Sequence, residues 1–204
     1  MVTKKELSRT LSKLKGFENP EVSLEQYLTP SEISSQSLWF IYMQKDIKGK
    51  IIADLGAGTG ILGIGALILG AKKVYFVDKS LDALELAKSN LSMLKIDEKK
   101  AVFVCDDVKN FDKKVDVVIQ NPPFGVKRIH ADREFLEKAI KIADRVYSFH
   151  KIESQEFIDK FSNDNQFKST LIFKFKFPLK WSYEYHKKPV RNIIVGIWKL
   201  EKNV

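Results

Sequence analysis

The sequence has a single cysteine, Cys105. An internal disulfide is therefore excluded, as is any zinc cluster built from cysteines of this chain alone. Cys105 closes the apolar run Ala101-Val-Phe-Val-Cys and is expected to be a small buried core residue rather than a nucleophile. No run of about 18 apolar residues exists, so no membrane-spanning helix is expected. The start Met-Val-Thr-Lys-Lys-Glu lacks the apolar core of a signal peptide. These absences predict a soluble, cytoplasmic protein. Arginine is also scarce, supplying five of the 35 basic residues. The net charge of +9 is thus a diffuse lysine field rather than a set of forked phosphate clamps. Such a field suits a polyanion, nucleic acid above all, and equally serves solubility alone. Internal repeats and low-complexity tracts are lacking too.

What is present is a chain of 204 residues with 44% hydrophobic content, enough for one well-buried core. A single domain over residues 1–204 is expected, with 1–49 a helical extension and connector ahead of an α/β core at 50–204. Leu7, Leu11 and Leu14 fall at helical spacing within Lys4 to Lys15, and Gly16 reads as the stop. The basic residues Lys4, Lys5, Arg9 and Lys13 fill the other faces, as a solvated surface or as a phosphate contact. Glu18 to Pro30 contains Asn-Pro and Thr-Pro and is expected to be an irregular connector. A helix capped by Ser31 follows through Ile33, Ser37, Phe40 and Ile41 toward Lys45, with Ser34 and Ser35 small enough for close packing.

From Lys50 strands and helices alternate, which predicts a parallel sheet with helices on both faces. The strands are Ile51 to Leu55, Val74 to Val77, Ala101 to Cys105 and Val115 to Ile119. Between them lie an apolar helix from Ile61 to Leu69, whose Gly63 and Gly65 permit close packing, and a helix capped by Ser80 carrying Leu81, Leu84, Leu86 and Leu91. Phe135, Ala139, Ile142 and Val146 predict a helix over Arg133 to Tyr147. Tyr147 to Phe149 is a short strand candidate and Glu153 to Phe161 a further helix. Thr170 to Phe177 alternates apolar and polar residues, and with Arg191 to Leu200 it predicts an antiparallel pair.

Two stretches carry chemistry. Gly56-Ala-Gly58-Thr-Gly60 follows the first strand, where glycines let a ligand approach the backbone. The loop matches neither the dinucleotide spacing nor a phosphate loop, which needs a lysine absent here. Asp78 ends the second strand, where a carboxylate accepts ribose hydroxyls, and Asp107 follows the third, where an adenine edge can be held. Acids after successive strands, beside a glycine loop without lysine, fit an adenosine ligand lacking phosphates, such as S-adenosylmethionine. Asp54 is expected to order the glycine loop or to face the ligand's positive end. The second stretch is Asn121-Pro122-Pro123-Phe124-Gly125, delivered by the fourth strand to the carboxyl end of the sheet. An exocyclic amine is a poor nucleophile because its lone pair is delocalised. Two acceptors, the Asn121 side-chain oxygen and the Pro122 carbonyl, can receive its two N–H bonds and aim the lone pair, while Phe124 stacks on the base. No metal is required.

With these residues the chain resembles class I S-adenosylmethionine-dependent methyltransferases. The resemblance is greatest to the archaeal and eukaryotic small-subunit ribosomal RNA adenine-N6 methyltransferases, which work with a small zinc-binding activator protein. It rests on Leu24-Glu25-Gln26-Tyr27-x-Thr29, Asp54-Leu55-Gly56-x-Gly58-x-Gly60, Asn121 to Gly125, and the segments Tyr147 to Lys151 and Tyr185 to Lys188. It implies a Rossmann-like α/β fold with a seven-stranded, mostly parallel sheet of order 3-2-1-4-5-7-6 whose last strand is antiparallel. It also implies that Gln26, Thr29, Gly56, Thr59, Ile61, Asp78, Asp107 and Val108 reach the cofactor, and that the activator pairs with the edge strand Ala101 to Cys105; Asp54, Gly58, Gly60 and Asn121 are further candidate cofactor contacts. Ala57 stands where relatives often have cysteine, and Val126 where threonine is common. Trp181, Tyr183, Tyr185, His186, Lys187 and Lys188 mix rings and charge as a single-stranded RNA surface does, or as aromatic anchors of a loop. His130 is a candidate phosphate or proton contact. The expected activity is adenine-N6 methylation of a structured RNA. A glutamine-N5 methyltransferase acting on a release factor, a guanine-N2 RNA methyltransferase and a non-catalytic RNA-binding protein remain open alternatives.

Overall fold

A computed structural model describes residues 2–18, 20, 21, 25–124, 131–179 and 191–203. Seven strands form one sheet: β1 (Ile51–Leu55), β2 (Lys73–Asp78), β3 (Ala101–Cys105), β4 (Val117–Gln120), β5 (Arg145–Lys151), β6 (Phe167–Leu179) and β7 (Arg191–Lys202). Their order is β3-β2-β1-β4-β5-β7-β6. The first five pair in parallel, while β7 is antiparallel to both β5 and β6. The sheet reverses direction of growth between β1 and β4, the place where open α/β sheets present a crevice at their carboxyl ends.

Alternation along the strands sends side chains to two cores. Ile52, Phe76, Val117 and Ile119 face α1 (Lys4–Leu11), α2 (Ser31–Met43), α3 (Ile61–Ile68) and α4 (Leu81–Met93). Ala53, Leu55, Val77 and Val118 face α5 (Ala131–Ile142) and α6 (Gln155–Asp164). With helices on both faces the central strands are apolar on both sides, as a parallel sheet requires. At α3, a Cβ on Gly63 would run into Phe76 of β2, and one on Gly65 into Leu38 of α2. Those two glycines set the distance at which the helix layers stack. No helix among the described residues is long and apolar enough to cross a membrane.

Several local expectations are corrected. The first helix is closed by a Thr3–Glu6 capping box and stops at Leu11 rather than at Gly16. The chain is instead drawn off toward α4, where the Lys15 backbone bonds the Asn90 side chain, and Gly16 packs under Leu28. Ser31 is the first residue of α2, with Pro30 as its N-cap, so no side chain caps that helix. Strand β4 begins at Val117: the backbone N–H of Val115 bonds Ile142, and the Asp116 carboxylate accepts from Ile51 N–H at 2.7 Å. The helix expected to reach Tyr147 ends at Ile142, and Val146 and Tyr147 belong to β5. Val146, buried in β5, falls four residues after Ile142 and so mimics a continuing helical stripe. Cys105 is exposed, not buried, because it ends the edge strand β3; its thiol points to the Lys79 carbonyl. Leu24, the loop from Gly125 to His130 with Val126, and the Trp181 to Lys188 segment lie outside the described residues.

Candidate active site

The glycine loop leaves β1 with three residues in the left-handed region, Gly56 (φ 70°), Gly58 (φ 52°) and Gly60 (φ 79°), a path that side-chain-bearing residues disfavour. Its shape is fixed from the neighbouring strand. The Asp78 carboxylate accepts from the Gly58 N–H at 2.9 Å and from the Ser80 N–H at 3.0 Å. Burial nevertheless raises the proton affinity of Asp78, with those amide bonds opposing it. Asp54 is only 1% exposed and does not bond the loop; it accepts from the Gly63 N–H at 2.8 Å and so holds the first turn of α3. Burial, with Asp78 nearby, pushes its carboxyl up to about 8, so near neutral pH it mostly carries its proton. Asp107 caps the short turn Val108–Asn110 through the Lys109 N–H at 3.0 Å.

A cavity opens along this row. Of the residues expected to contact a cofactor, Gln26, Thr29, Asp54, Gly56, Gly58, Thr59, Ile61, Asp78, Asp107, Val108 and Asn121 all line it. Gly60 is not in its wall; it is the N-cap of α3, packed so closely on Ala87 that a Cβ there would lie 2.9 Å from the alanine methyl. Phe17, Lys79, Glu134 and Phe135 also line the cavity without having been expected. Nothing in their spacing marks them, since each sits outside the glycine and proline motifs and arrives only through folding.

Within the connector the side-chain oxygen of Gln26 accepts from the Glu21 N–H at 2.8 Å, a local bond that shapes the turn ahead of Tyr27. Asn90, fully buried, accepts from the Lys15 N–H at 2.8 Å and donates to the Lys15 carbonyl at 3.1 Å and the Thr59 carbonyl at 3.0 Å. One amide thus joins α4, the glycine loop and the segment that follows α1.

At the other end β4 hands over to the proline motif. Gln120 is fully buried and donates to the Ser148 hydroxyl at 3.0 Å, which lies 2.6 Å from the His150 Nε2. This chain of bonds locks the strand just ahead of Asn121. The Asn121 Nδ2 donates to the Thr29 hydroxyl at 2.9 Å, while its Oδ1 is buried and has no partner among the described residues. A buried amide oxygen left without a donor is costly; Gln120 Oε1 is also unpaired, but Asn121 lines the cavity, where a ligand's donor can reach its oxygen. Pro123 lines the cavity, but Pro122 and Phe124 do not. The Pro122 carbonyl accepts from the Tyr27 hydroxyl at 2.8 Å. Phe124 is 7% exposed and stacked on the Tyr27 ring, with centroids 4.8 Å apart and planes 12° from parallel. The phenylalanine face and the carbonyl expected to meet a substrate therefore both meet Tyr27. His130 lies outside the described residues.

Comparison with known proteins fits this arrangement. Residues 33–148 match the methyltransferase small domain family. The rRNA N(6)-adenosine-methyltransferase METTL5 of Danio rerio is 39% identical over 189 residues, spanning 90% of this chain and 91% of that one. An uncharacterized protein of Methanocaldococcus jannaschii is 37% identical over 214 residues, or 99% and 95% of the two chains. A crystal structure from Pyrococcus horikoshii, assigned as a candidate RNA methyltransferase, superposes with a TM-score of 0.89 at 47% identity, each chain covered in full. The β3-β2-β1-β4-β5-β7-β6 sheet is the class I methyltransferase arrangement. By the family match and these near-full-length relatives, the chain belongs to the methyltransferase small domain family.

Proposed function

We propose that this protein uses S-adenosylmethionine to methylate the N6 amine of an adenine in structured RNA, with small-subunit ribosomal RNA as the substrate. The observation that carries the reading is the Asn121 amide: pinned through Nδ2, its Oδ1 is a buried acceptor without a donor, at the carboxyl end of the central strand. The METTL5 relative's name supports adenine in ribosomal RNA as the acceptor.

The cavity residues fit the cofactor. The half-buried Asp78 carboxylate suits ribose hydroxyls, Asp107 and Val108 suit an adenine edge, and Gly56, Gly58, Thr59 and Ile61 keep the wall close to backbone. Gln26 and Thr29 close the cavity from the connector side, and Asp54 faces it with a carboxyl that a nearby positive charge would ionise. When bound, S-adenosylmethionine supplies an electrophilic methyl group on a sulfonium centre. Asn121 Oδ1 and the Pro122 carbonyl accept hydrogen bonds from the two amine hydrogens, which favours a pyramidal nitrogen and directs its lone pair; once the nitrogen is methylated, one of those protons passes to solvent. Preorganised acceptors of this kind act at little reorganisation cost. The target base must leave its stack to reach them.

The same reading includes a small zinc-binding activator on β3. That strand closes the sheet on one side, and Val102, Phe103 and Val104 are each only half-buried. An apolar edge strand is a site for strand addition, and covering it removes an aggregation hazard.

Incubation with labelled S-adenosylmethionine and small-subunit RNA, with and without the activator, tests the proposal. N6-methyladenine in the RNA digest is the expected product. Label in guanine, in a release-factor glutamine, or nowhere would contradict it.

A further inference from the structure

Tyr27 makes, with its own side chain, part of the contact set that a target base needs. Its ring lies flat on Phe124, and Phe177 meets both rings edge-on, at 5.5 Å and 81° from Tyr27 and 5.6 Å and 88° from Phe124. Its hydroxyl donates to the Pro122 carbonyl at 2.8 Å. A planar ring stacked on an aromatic face, with a hydrogen-bearing substituent aimed at that carbonyl, is also a description of a bound aminopurine. Because Phe124 is 7% exposed with Tyr27 in place, the stacking face is not open to a base as well.

The mimicry is incomplete in an informative way. A phenol has one hydrogen to donate and spends it on Pro122, leaving Asn121 Oδ1 unpaired. An exocyclic amine has two hydrogens and satisfies both acceptors. A purine with a carbonyl oxygen at the same ring position presents lone pairs to both and gains nothing to replace the phenol's bond. Two residues before Tyr27, Glu25 holds a left-handed backbone (φ 49°), strained for a residue with a side chain, so moving the tyrosine need not break an unstrained turn.

We infer that Tyr27 occupies the acceptor-base subsite bounded by Phe124, Phe177 and the Pro122 carbonyl, and that it is a specificity-determining residue which only a base carrying a suitably placed amine displaces. The inference rests on the proposed adenine methylation. It makes apparent base affinity the intrinsic affinity multiplied by the fraction of molecules in which Tyr27 has left.

The test uses the full chain labelled with 3-fluorotyrosine and saturated with S-adenosylhomocysteine, so that the cofactor cavity, which Tyr27 also lines, is already filled; the Tyr27 resonance is assigned by its loss in Tyr27→Phe. Adenosine 5′-monophosphate should move that resonance toward the position of an exposed tyrosine, and guanosine 5′-monophosphate should leave it in place. Tyr27→Phe, which keeps the ring but loses the competing bond, should bind adenosine 5′-monophosphate about threefold more tightly. Damage to a merely structural contact would weaken binding instead. A resonance unmoved by adenosine 5′-monophosphate up to its solubility, equal movement by both nucleotides, or weaker binding by Tyr27→Phe overturns the inference. The two readings fail separately. Displacement of Tyr27 without N6-methyladenine in RNA faults the proposed function, whereas N6-methyladenine formed with Tyr27 in place faults the subsite.

Discussion

Thr29 accepts a hydrogen bond from the Asn121 Nδ2 at 2.9 Å and thereby decides which end of that amide is left for a substrate. The resemblance implied a cofactor contact for Thr29. It does line the cavity, yet its bonded partner is the motif asparagine, so it orients the group on which the proposed chemistry depends.

Thr29→Val keeps the shape and removes the acceptor. The Asn121 amide then has a buried donor without a partner, at a cost of about 1–3 kcal/mol. Single-turnover methyl transfer should slow roughly tenfold, a loss equivalent to about 1.4 kcal/mol. Thr29→Ser should keep most of the wild-type rate.

Asn90 makes a different prediction, because its three bonds hold the chain after α1 and the glycine loop together from a fully buried position. Asn90→Ala should destabilise the protein by about 2–4 kcal/mol in urea unfolding, as buried backbone groups lose their partners. Cofactor affinity measured by calorimetric titration should fall with it.

The pH dependence of stability should carry the mark of Asp54. Burial raises its carboxyl from an ordinary 3.8 to about 8, so in that window the folded state holds a proton that the unfolded state releases. Stability contributed by this group is therefore present below about pH 4 and lost as pH rises toward 8. Asp54→Asn can still accept from the Gly63 N–H. Its unfolding free energy should lack this downward slope when compared with wild type across the same pH range. Equal slopes in the two proteins would assign the effect elsewhere.

Period and punctuation were enough for much of the fold. Strands β1 and β3 have the expected bounds, Ile51–Leu55 and Ala101–Cys105, and the β6–β7 pair follows from alternation and the want of a helix between them. Boundaries failed where one pattern serves two structures: Val146 continues a helical stripe from Ile142 but is the buried second residue of β5. Cys105 was misplaced because an apolar run does not reveal that its strand is at the edge of the sheet. In the site, the residues that line the cavity lay largely in legible motifs. The residues that hold those motifs did not: Asn90 sits unremarked in a helix, and Phe177 reads only as one more inward position of a strand. Tyr27 was visible as part of a motif, but its place on Phe124 depends on a contact across 97 residues of chain that no local pattern encodes.

The most direct test of the account is the rate of N6-methyladenine formation in small-subunit RNA by Asn121→Ala against wild type, measured by nucleoside mass spectrometry under single turnover with bound cofactor verified in both. Loss of the amide acceptor should slow methylation by about a hundredfold or more, by analogy with removal of one preorganised hydrogen-bonding group from an active site. Methylation by Asn121→Ala at the wild-type rate would contradict the account.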